Sequence, residues 1–498
     1  MKKHIIRLHP LGKEIRVNDQ TPLIDVLHEY GIEFPCGGKG VCGKCKVRLL
    51  DGEIGITEEH REKIKQLGLT ENWRLACMSR CTGDIALEVE QFNQLILADE
   101  SKFSYQPKPG YGIAIDLGTT TLVCQLVELS TARILAVETG LNPQIRFGAD
   151  LISRIQACLD GHAGELTRNI RIALEIMIAR LLKKHPVTVS SVALVGNTAM
   201  QLIFSGEYVG PLASYPFETG RPASKCFLPE ELDWHFPVQD TICFLPFIGS
   251  FVGSDILAGI AATGLHLKEK YTALIDLGTN GEIALGNRQR IVCASTAAGP
   301  AFEGANISMG MRAVTGAISS MKAEKGAIKA SVIGNTAPKG ICGSALVDAV
   351  ALLRKQGAIG MFGEIISGEE QLRLAGKVFL NQKDIQEFLL AKAALATGLY
   401  ILARHLSIRI LDIDRIYIAG GFGNYLNLSH VVSTGMIELT QEKISKMGNT
   451  ALIGAKMFLF TGTEPAQEIL TKTKHIHLES EPDFQDIFIS KMLLENEQ

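Results

Sequence analysis

Two stretches of this chain repeat one another: GIAIDLGTTTLVCQLVEL begins at Gly112 and ALIDLGTNGEIAL at Ala273. Asp116 and Asp276 lie 160 residues apart, about one domain's length, so the chain from residue 111 onward predicts a duplicated α/β unit. In each copy an apolar strand delivers an aspartate, a Gly-Thr-Thr or Gly-Thr-Asn turn follows, and a second strand runs back as in a hairpin. Glycines at 118 and 278 let backbone amides approach an anion, and Thr119, Thr120, Thr279 and Asn280 add further donors. An aspartate at a strand end is placed to orient water on a Mg2+ bound to phosphates. One such turn is common in any sheet. Two with matched flanks, facing each other across a cleft, predict a grip on polyphosphate with Asp116 and Asp276 as its working carboxylates.

A third segment, DIDRIYIAGGFGNYL at 412–426, is an apolar strand that ends in Gly420 and Gly421, where bare backbone leaves room for a nucleoside. In this order the three segments resemble the acetate and sugar kinase, heat-shock chaperone and actin superfamily, with its ribonuclease H-like fold. The resemblance implies ATP bound between two lobes that open and close, the second lobe starting near residue 271 and the whole ATPase domain spanning 111–498.

The N-terminal part carries different chemistry. FPCGGKGVCGKCK, residues 34–46, places Cys36, Cys42 and Cys45 in a loop nearly stripped of side chains, and Cys77 follows far downstream in RLACMSRC. Three thiolates in one loop plus a distant fourth is how a single 2Fe-2S cluster is supplied. The loop glycines let the backbone curl with its amides toward the sulfurs. A structural zinc site more often shows two C-x2-C pairs, and here there is one. Cys81 is then a spare, read as a small core residue. HIIRLHP with KEIRV reads as a hairpin, TPLIDVLHEYG as a helix, and CKVRLLDGEI and DIALEVE as strands. Residues 1–95 therefore resemble the α+β β-grasp ferredoxin fold, in the branch with five residues between the first two ligands. SKFSYQPKPG, at 101–110, closes a linker over 96–110.

Composition narrows the setting. A net charge of −3 over 498 residues gives no electrostatic reason to expect nucleic acid or an anionic membrane as partner. The start, MKKHIIRLHPLGKEIRV, interrupts its apolar residues with charge, which predicts a cytoplasmic protein. The apolar run from Ile242 to Leu265 contains Asp255 and several glycines and reads as buried turns and helix rather than a membrane span. In a reducing compartment none of the 11 cysteines should form a structural disulfide. Cys124, Cys158, Cys226, Cys243, Cys293 and Cys342 then read as core packing, and His235, His475 and His477 as satisfied or exposed histidines. Glu282 and Glu303 lie near the phosphate segments, where a carboxylate beside glycines often caps a turn.

Five more segments narrow the family: NPQIRFGADLISRI at 142–155, VGNTAMQLIFSG at 195–206, GSFVGSDILAGI at 249–260, AAGPAFEGANISMGM at 297–311 and GICGSALVDAV at 340–350. They resemble the ATPase part of the reductive activators of corrinoid proteins. With the ferredoxin part, that resemblance implies use of ATP to move one electron from the 2Fe-2S cluster to a Co(II) corrinoid, restoring Co(I). It also implies Gly299 in the nucleotide site, a corrinoid protein of a methyltransferase system as partner, an external low-potential electron donor, and a homodimer. In longer members an additional domain stands between ferredoxin and ATPase; here only the linker occupies that place. A plant-type cluster works near about −400 mV. If the cobalt lies lower, each ~59 mV of deficit costs about 1.4 kcal/mol, which gives ATP a purpose. Three other functions fit parts of the sequence. A phosphotransferase would use the same cleft but leave the ferredoxin idle. An activator of a 2-hydroxyacyl-CoA dehydratase couples ATP to electron injection, but Cys293 and Cys342 lack a cluster spacing. A nucleotide-binding redox sensor would show no partner-stimulated ATP turnover.

Overall fold

Alternating burial folds Lys3–His9 back on Lys13–Asn18 as the expected hairpin, in register from Lys3↔Asn18 to Leu8↔Lys13. In this computed structural model the described residues are 2–9, 13–27, 32, 40, 45–89 and 103–494, apart from 149, 218, 221, 279, 299, 305, 314–315, 325–326 and 367. Ile85–Glu88 joins Lys3–His9 in parallel, and Lys46–Asp51 then Trp73–Leu75 complete a five-stranded mixed sheet. Ile6, Leu8, Val47, Leu75 and Leu87 pack its inner face against Leu23 and Leu27. The described helix is Ile24–Leu27; it begins later than Thr21 because Thr21 and Pro22 pair instead with Cys81 and Arg80. This is the β-grasp ferredoxin fold.

The duplication is visible in the strand order. In the first lobe Tyr111–Leu117, Thr121–Glu128 and Arg133–Leu141 form an antiparallel meander, and Val189–Gly196 then Ile242–Phe244 add in parallel on the other side of Tyr111–Leu117. The second lobe repeats this with Thr272–Leu277, Gly281–Gly286 and Ile291–Thr296, followed by Arg415–Ala419 and Ile444–Gly448. Both hairpins expected around the aspartate turns are present, with Asp116 opposite Val123 and Asp276 opposite Glu282. The architecture is the actin-like one, two copies of one sheet order.

Two helices lie between the sheets, Ser254–Thr263 and Thr450–Thr461, and their apolar side chains share one core with residues from both lobes. They cross with backbones nearly touching. A Cβ on Gly454 would lie 2.2 Å from Ala258 O, and one on Gly259 would lie 2.5 Å from Leu274 Cδ2. The helix Gln382–His405 is long and apolar enough to cross a membrane by length and composition, but it is the buried core helix of the second lobe, started by a capping box between Asn381 and Asp384.

Two expectations change. The last part of the linker is docked, because its aromatic residues find a partner: Phe103 and Tyr105 pack on Phe460 with ring centroids 5.6 and 5.0 Å away. The expectation of no disulfide is overturned by a Cys226–Cys243 bond. Lys225–Phe227 runs antiparallel to Ile242–Phe244 at the sheet edge, which sets the two cysteines directly opposite each other. Cys226 is therefore exposed and bonded, not a core residue. Cys124, Cys158, Cys293 and Cys342 are free and buried.

Candidate functional site

The two strand ends bring the predicted carboxylates into one cleft. Asp116 and Asp276 are joined by Asp255, in the first turn of Ser254–Thr263, and by Glu282, the cross-strand partner of Asp276. The Asp116 carboxyl is pushed up to about 6 and that of Asp276 to about 7, first by burial and, for Asp276, then by Asp255 and Asp116. Asp255 is raised by burial and by Asp116, and Glu282 well above its ordinary range by burial, Asp255 and Asp276. Charges within the group add to burial for Asp255, Asp276 and Glu282, whereas Asp116 is raised by burial alone, against the Asn449 hydrogen bond. Each keeps a half-buried edge facing the cleft, so the group lines an opening rather than a sealed core. Like charges this close are costly unless a cation shares them.

Each turn is built by the backbone. Gly118 N donates to Thr121 O and Gly278 N to Asn280 O, both at 3.1 Å, so the turns close and leave Thr119, Thr120 and Asn280 at the cleft edge. A Cβ on Gly118 would lie 2.6 Å from Thr121 O. Thr279 and Gly299 lie outside the described residues. Gly420, φ 85°, sits directly on the second turn: a Cβ there would meet Leu277 O at 2.6 Å and Asp276 Oδ1 at 2.8 Å. Gly421 follows on the exposed side of the same helical turn. Phe422 stacks on Phe302 with centroids 5.2 Å apart, an apolar wall beside these glycines.

Two asparagines complete the site, and sequence reasoning missed both. Asn197 caps Thr198–Ser205 and donates Nδ2 to Thr119 Oγ1 at 3.0 Å. Asn449 caps Thr450–Thr461 and donates Nδ2 across the cleft to Asp116 Oδ2 at 2.7 Å. The signal was available: VGNTAM at 195–200 and MGNTAL at 447–452 are a second internal repeat, each a strand end followed by a helix cap. Asn142, in the 142–155 segment, adds to the first turn by donating Nδ2 to Gly118 O at 2.9 Å.

The donor set fits a hard divalent cation. Among the described residues no three His, Cys, Asp or Glu side chains converge as a ready-made metal cage. Grouped but unconverged carboxylates suit Mg2+, which keeps several waters and takes one or two carboxylates plus phosphate oxygens.

In the N-terminal sheet, Cys45 and Cys77 meet with Sγ atoms 3.2 Å apart, although 32 residues separate them. The Cys77 thiol is held down at about 7, chiefly by the Cys45 hydrogen bond and against burial, with Gly40 N–H also favouring its thiolate. Gly40 has φ 70°, and a Cβ there would come within 2.9 Å of Met78 Sδ. A low thiol, a second thiol in contact and an amide aimed at the sulfur fit iron-sulfur ligation. Cys36 and Cys42 lie outside the described residues. Cys81 is different: it is sealed in the core, donates to Gly83 O at 3.2 Å, and burial raises its thiol.

Other candidates stay apart from the cleft. His235 is exposed, bonds Glu175 at 2.9 Å, and lines a cavity of about 450 Å³ on the outer side of the first lobe with Arg168, Arg171 and Trp234. His475 is half-buried against Gly249, and burial lowers it to about 4.

Comparison with known proteins follows the same division. Residues 6–82 match the 2Fe-2S iron-sulfur cluster binding domain, 111–268 the RACo middle region, and 270–498 the C-terminal domain of RACo, the ASKHA domain. The middle region thus falls on the first lobe. The corrinoid activation enzyme RamQ of Eubacterium limosum is 35% identical, over 77% of this chain and 70% of that protein. The Co(II) methylated amine-specific corrinoid protein reductase of Methanosarcina barkeri is 27% identical, over 70% of this chain and 69% of that protein. A solved structure of a reductive activator for corrinoid, iron-sulfur protein superposes with a TM-score of 0.69 at 26% identity, covering 99% of both chains. With a ferredoxin sheet, a duplicated ATPase and these relatives, the chain belongs to the family of reductive activators of corrinoid proteins.

Proposed function

We propose that this protein is an ATP-hydrolysing iron-sulfur reductase that restores Co(I) in the Co(II) corrinoid protein of a methyltransferase system. The observation that carries this reading is the presence in one chain of a thiol pair set for a cluster and a two-lobed cleft centred on four carboxylates raised by burial, three of them also by neighbours in the group. When bound by Cys36, Cys42, Cys45 and Cys77, the 2Fe-2S cluster supplies one low-potential electron at a time.

The chain's own residues do the rest. The Gly118–Thr120 and Gly278–Asn280 turns present amides and hydroxyls to the polyphosphate from opposite lobes, and Gly299, Gly420 and Gly421 leave room for the nucleoside. Asp116 and Asp276 would hold Mg2+ and its water, and Asn449 fixes the Asp116 carboxylate by donating to it from the other lobe at 2.7 Å. Because Asn449 heads a helix of the inter-lobe core, closure on ATP moves the surface that meets the corrinoid protein. An external low-potential donor would supply the electrons, and the cytoplasm is the setting that suits it.

Linkage supplies the test. If ATP favours the corrinoid-gripping state, the corrinoid protein must change ATP affinity by the same factor. ATP affinity is therefore expected to rise at least about threefold when a cognate Co(II) corrinoid protein is added, and turnover at subsaturating ATP with it. Turnover indifferent to every corrinoid protein tried would leave a nucleotide-binding redox sensor as the better reading.

A further inference from the structure

The segment 142–155 ends near an arginine that the site described so far does not use. Arg154 is 0% exposed, and its bonding partners are neutral. Nε donates to Gly148 O at 3.1 Å, Nη1 to Gln144 Oε1 at 3.3 Å and to Met200 Sδ at 3.6 Å, and Nη2 has no partner among the described residues. Asp150 is the acidic group that acts on it, but its two oxygens are committed to Ser153 N at 2.8 Å and Ser153 Oγ at 2.9 Å, capping the helix Leu151–Ala157. Burial pulls the guanidinium down to about 9, still charged at neutral pH. A buried charge without a paired anion is expensive for a fold, and an apolar side chain of similar size would serve packing better.

Its position suggests what the charge is for. Met200 Sδ accepts from Arg154 and also from Asn142 Nδ2 at 3.6 Å. The same Asn142 amide donates to Gly118 O at 2.9 Å, and Asn142 N donates to Thr120 O at 2.9 Å. Arg154 therefore stands one side chain behind the first phosphate turn, with Asn142 and Gln144, both 0% exposed, keeping the spacing. In so dry a place its field reaches the turn with little screening. Asp116 at the head of that turn, with Asp255, Asp276 and Glu282 around the cleft, would repel a polyphosphate.

We propose that Arg154 is a positioning residue for the nucleotide: a fixed positive charge behind the Gly118–Thr120 turn that favours ligands in proportion to their phosphate charge. The inference rests on the reading of the cleft as an ATP site. An arginine kept only for packing would, when replaced, weaken all ligands alike or none.

The experiment is calorimetric binding of ATP, ADP and adenosine, each with Mg2+, to the full-length wild type and to Arg154→Gln, Arg154→Met and Arg154→Lys. The neutral variants should lose about tenfold in ATP affinity, less for ADP and nothing for adenosine, while the lysine variant stays within about threefold of wild type for all three. Equal losses for the three ligands, or no loss in either neutral variant, overturn the proposal alone. If neither neutral variant folds, the lysine variant decides: its preference for ATP over adenosine must survive, and its disappearance overturns the proposal. A wild type that binds no ATP overturns the reading of the cleft, and the proposal with it.

Discussion

Asp276→Ala hydrolyses ATP about a hundredfold or more slowly than the wild type, and Asp116→Ala does the same, while both keep the visible absorption of the iron-sulfur cluster. On the proposed reading each substitution removes a carboxylate that would hold Mg2+ or its water, and losses of this size accompany removal of a single preorganised polar group from a reaction site. Neither touches the N-terminal sheet, whose core is a separate cluster of side chains. The same carboxylates make a stability forecast of known sign. The Asp276 carboxyl, raised to about 7, contributes stability that is full below the unfolded value near 4 and is lost as pH rises through the folded one. Without nucleotide or metal, Asp276→Asn should therefore melt above the wild type at pH 8 and not at pH 4.5. Wild-type hydrolysis in both alanine variants would return the two DLGT repeats to ordinary turns.

Cys77→Ala loses the 2Fe-2S absorption and all cobalt reduction but binds ATP as the wild type does. Cys81→Ala keeps its cluster, because that thiol is sealed among apolar side chains four residues from the ligand position and faces Gly83 O instead. Visible spectra and equilibrium nucleotide binding on both variants check the pair of outcomes together. A Cys77 variant with a full cluster, or a Cys81 variant without one, would mean that the fourth ligand has been misassigned.

How far the sequence could be read depends on how local each feature is. The aspartate turns and the cysteine loop are written in consecutive residues, because a tight turn needs glycine where it stands and a cluster needs thiols at fixed spacing. The paired lobes followed from the repeat of one such turn. Asp255, Glu282 and Asn449 were harder, since what each does depends on which strands become neighbours. Glu282 matters because it lies opposite Asp276, while the matching place in the first lobe holds Val123. Asn449 matters because the helix it caps packs between the sheets. The GNTA repeat would have exposed both asparagines. The Cys226–Cys243 bond was hidden for a related reason: only the pairing of an edge strand sets those residues face to face. The docking of Phe103 and Tyr105 on Phe460 likewise needs a partner that sequence order places far away.

The central claim is that ATP makes an otherwise unfavourable electron transfer to cobalt possible. It is tested most directly by mixing the reduced protein with a Co(II) corrinoid protein at a fixed donor potential and following the Co(I) absorption band with and without ATP. The account predicts substantial Co(I) only with ATP, none from a variant lacking residues 1–95, and none from Asp276→Ala even though its cluster is intact. Equal Co(I) yields with and without ATP would contradict it.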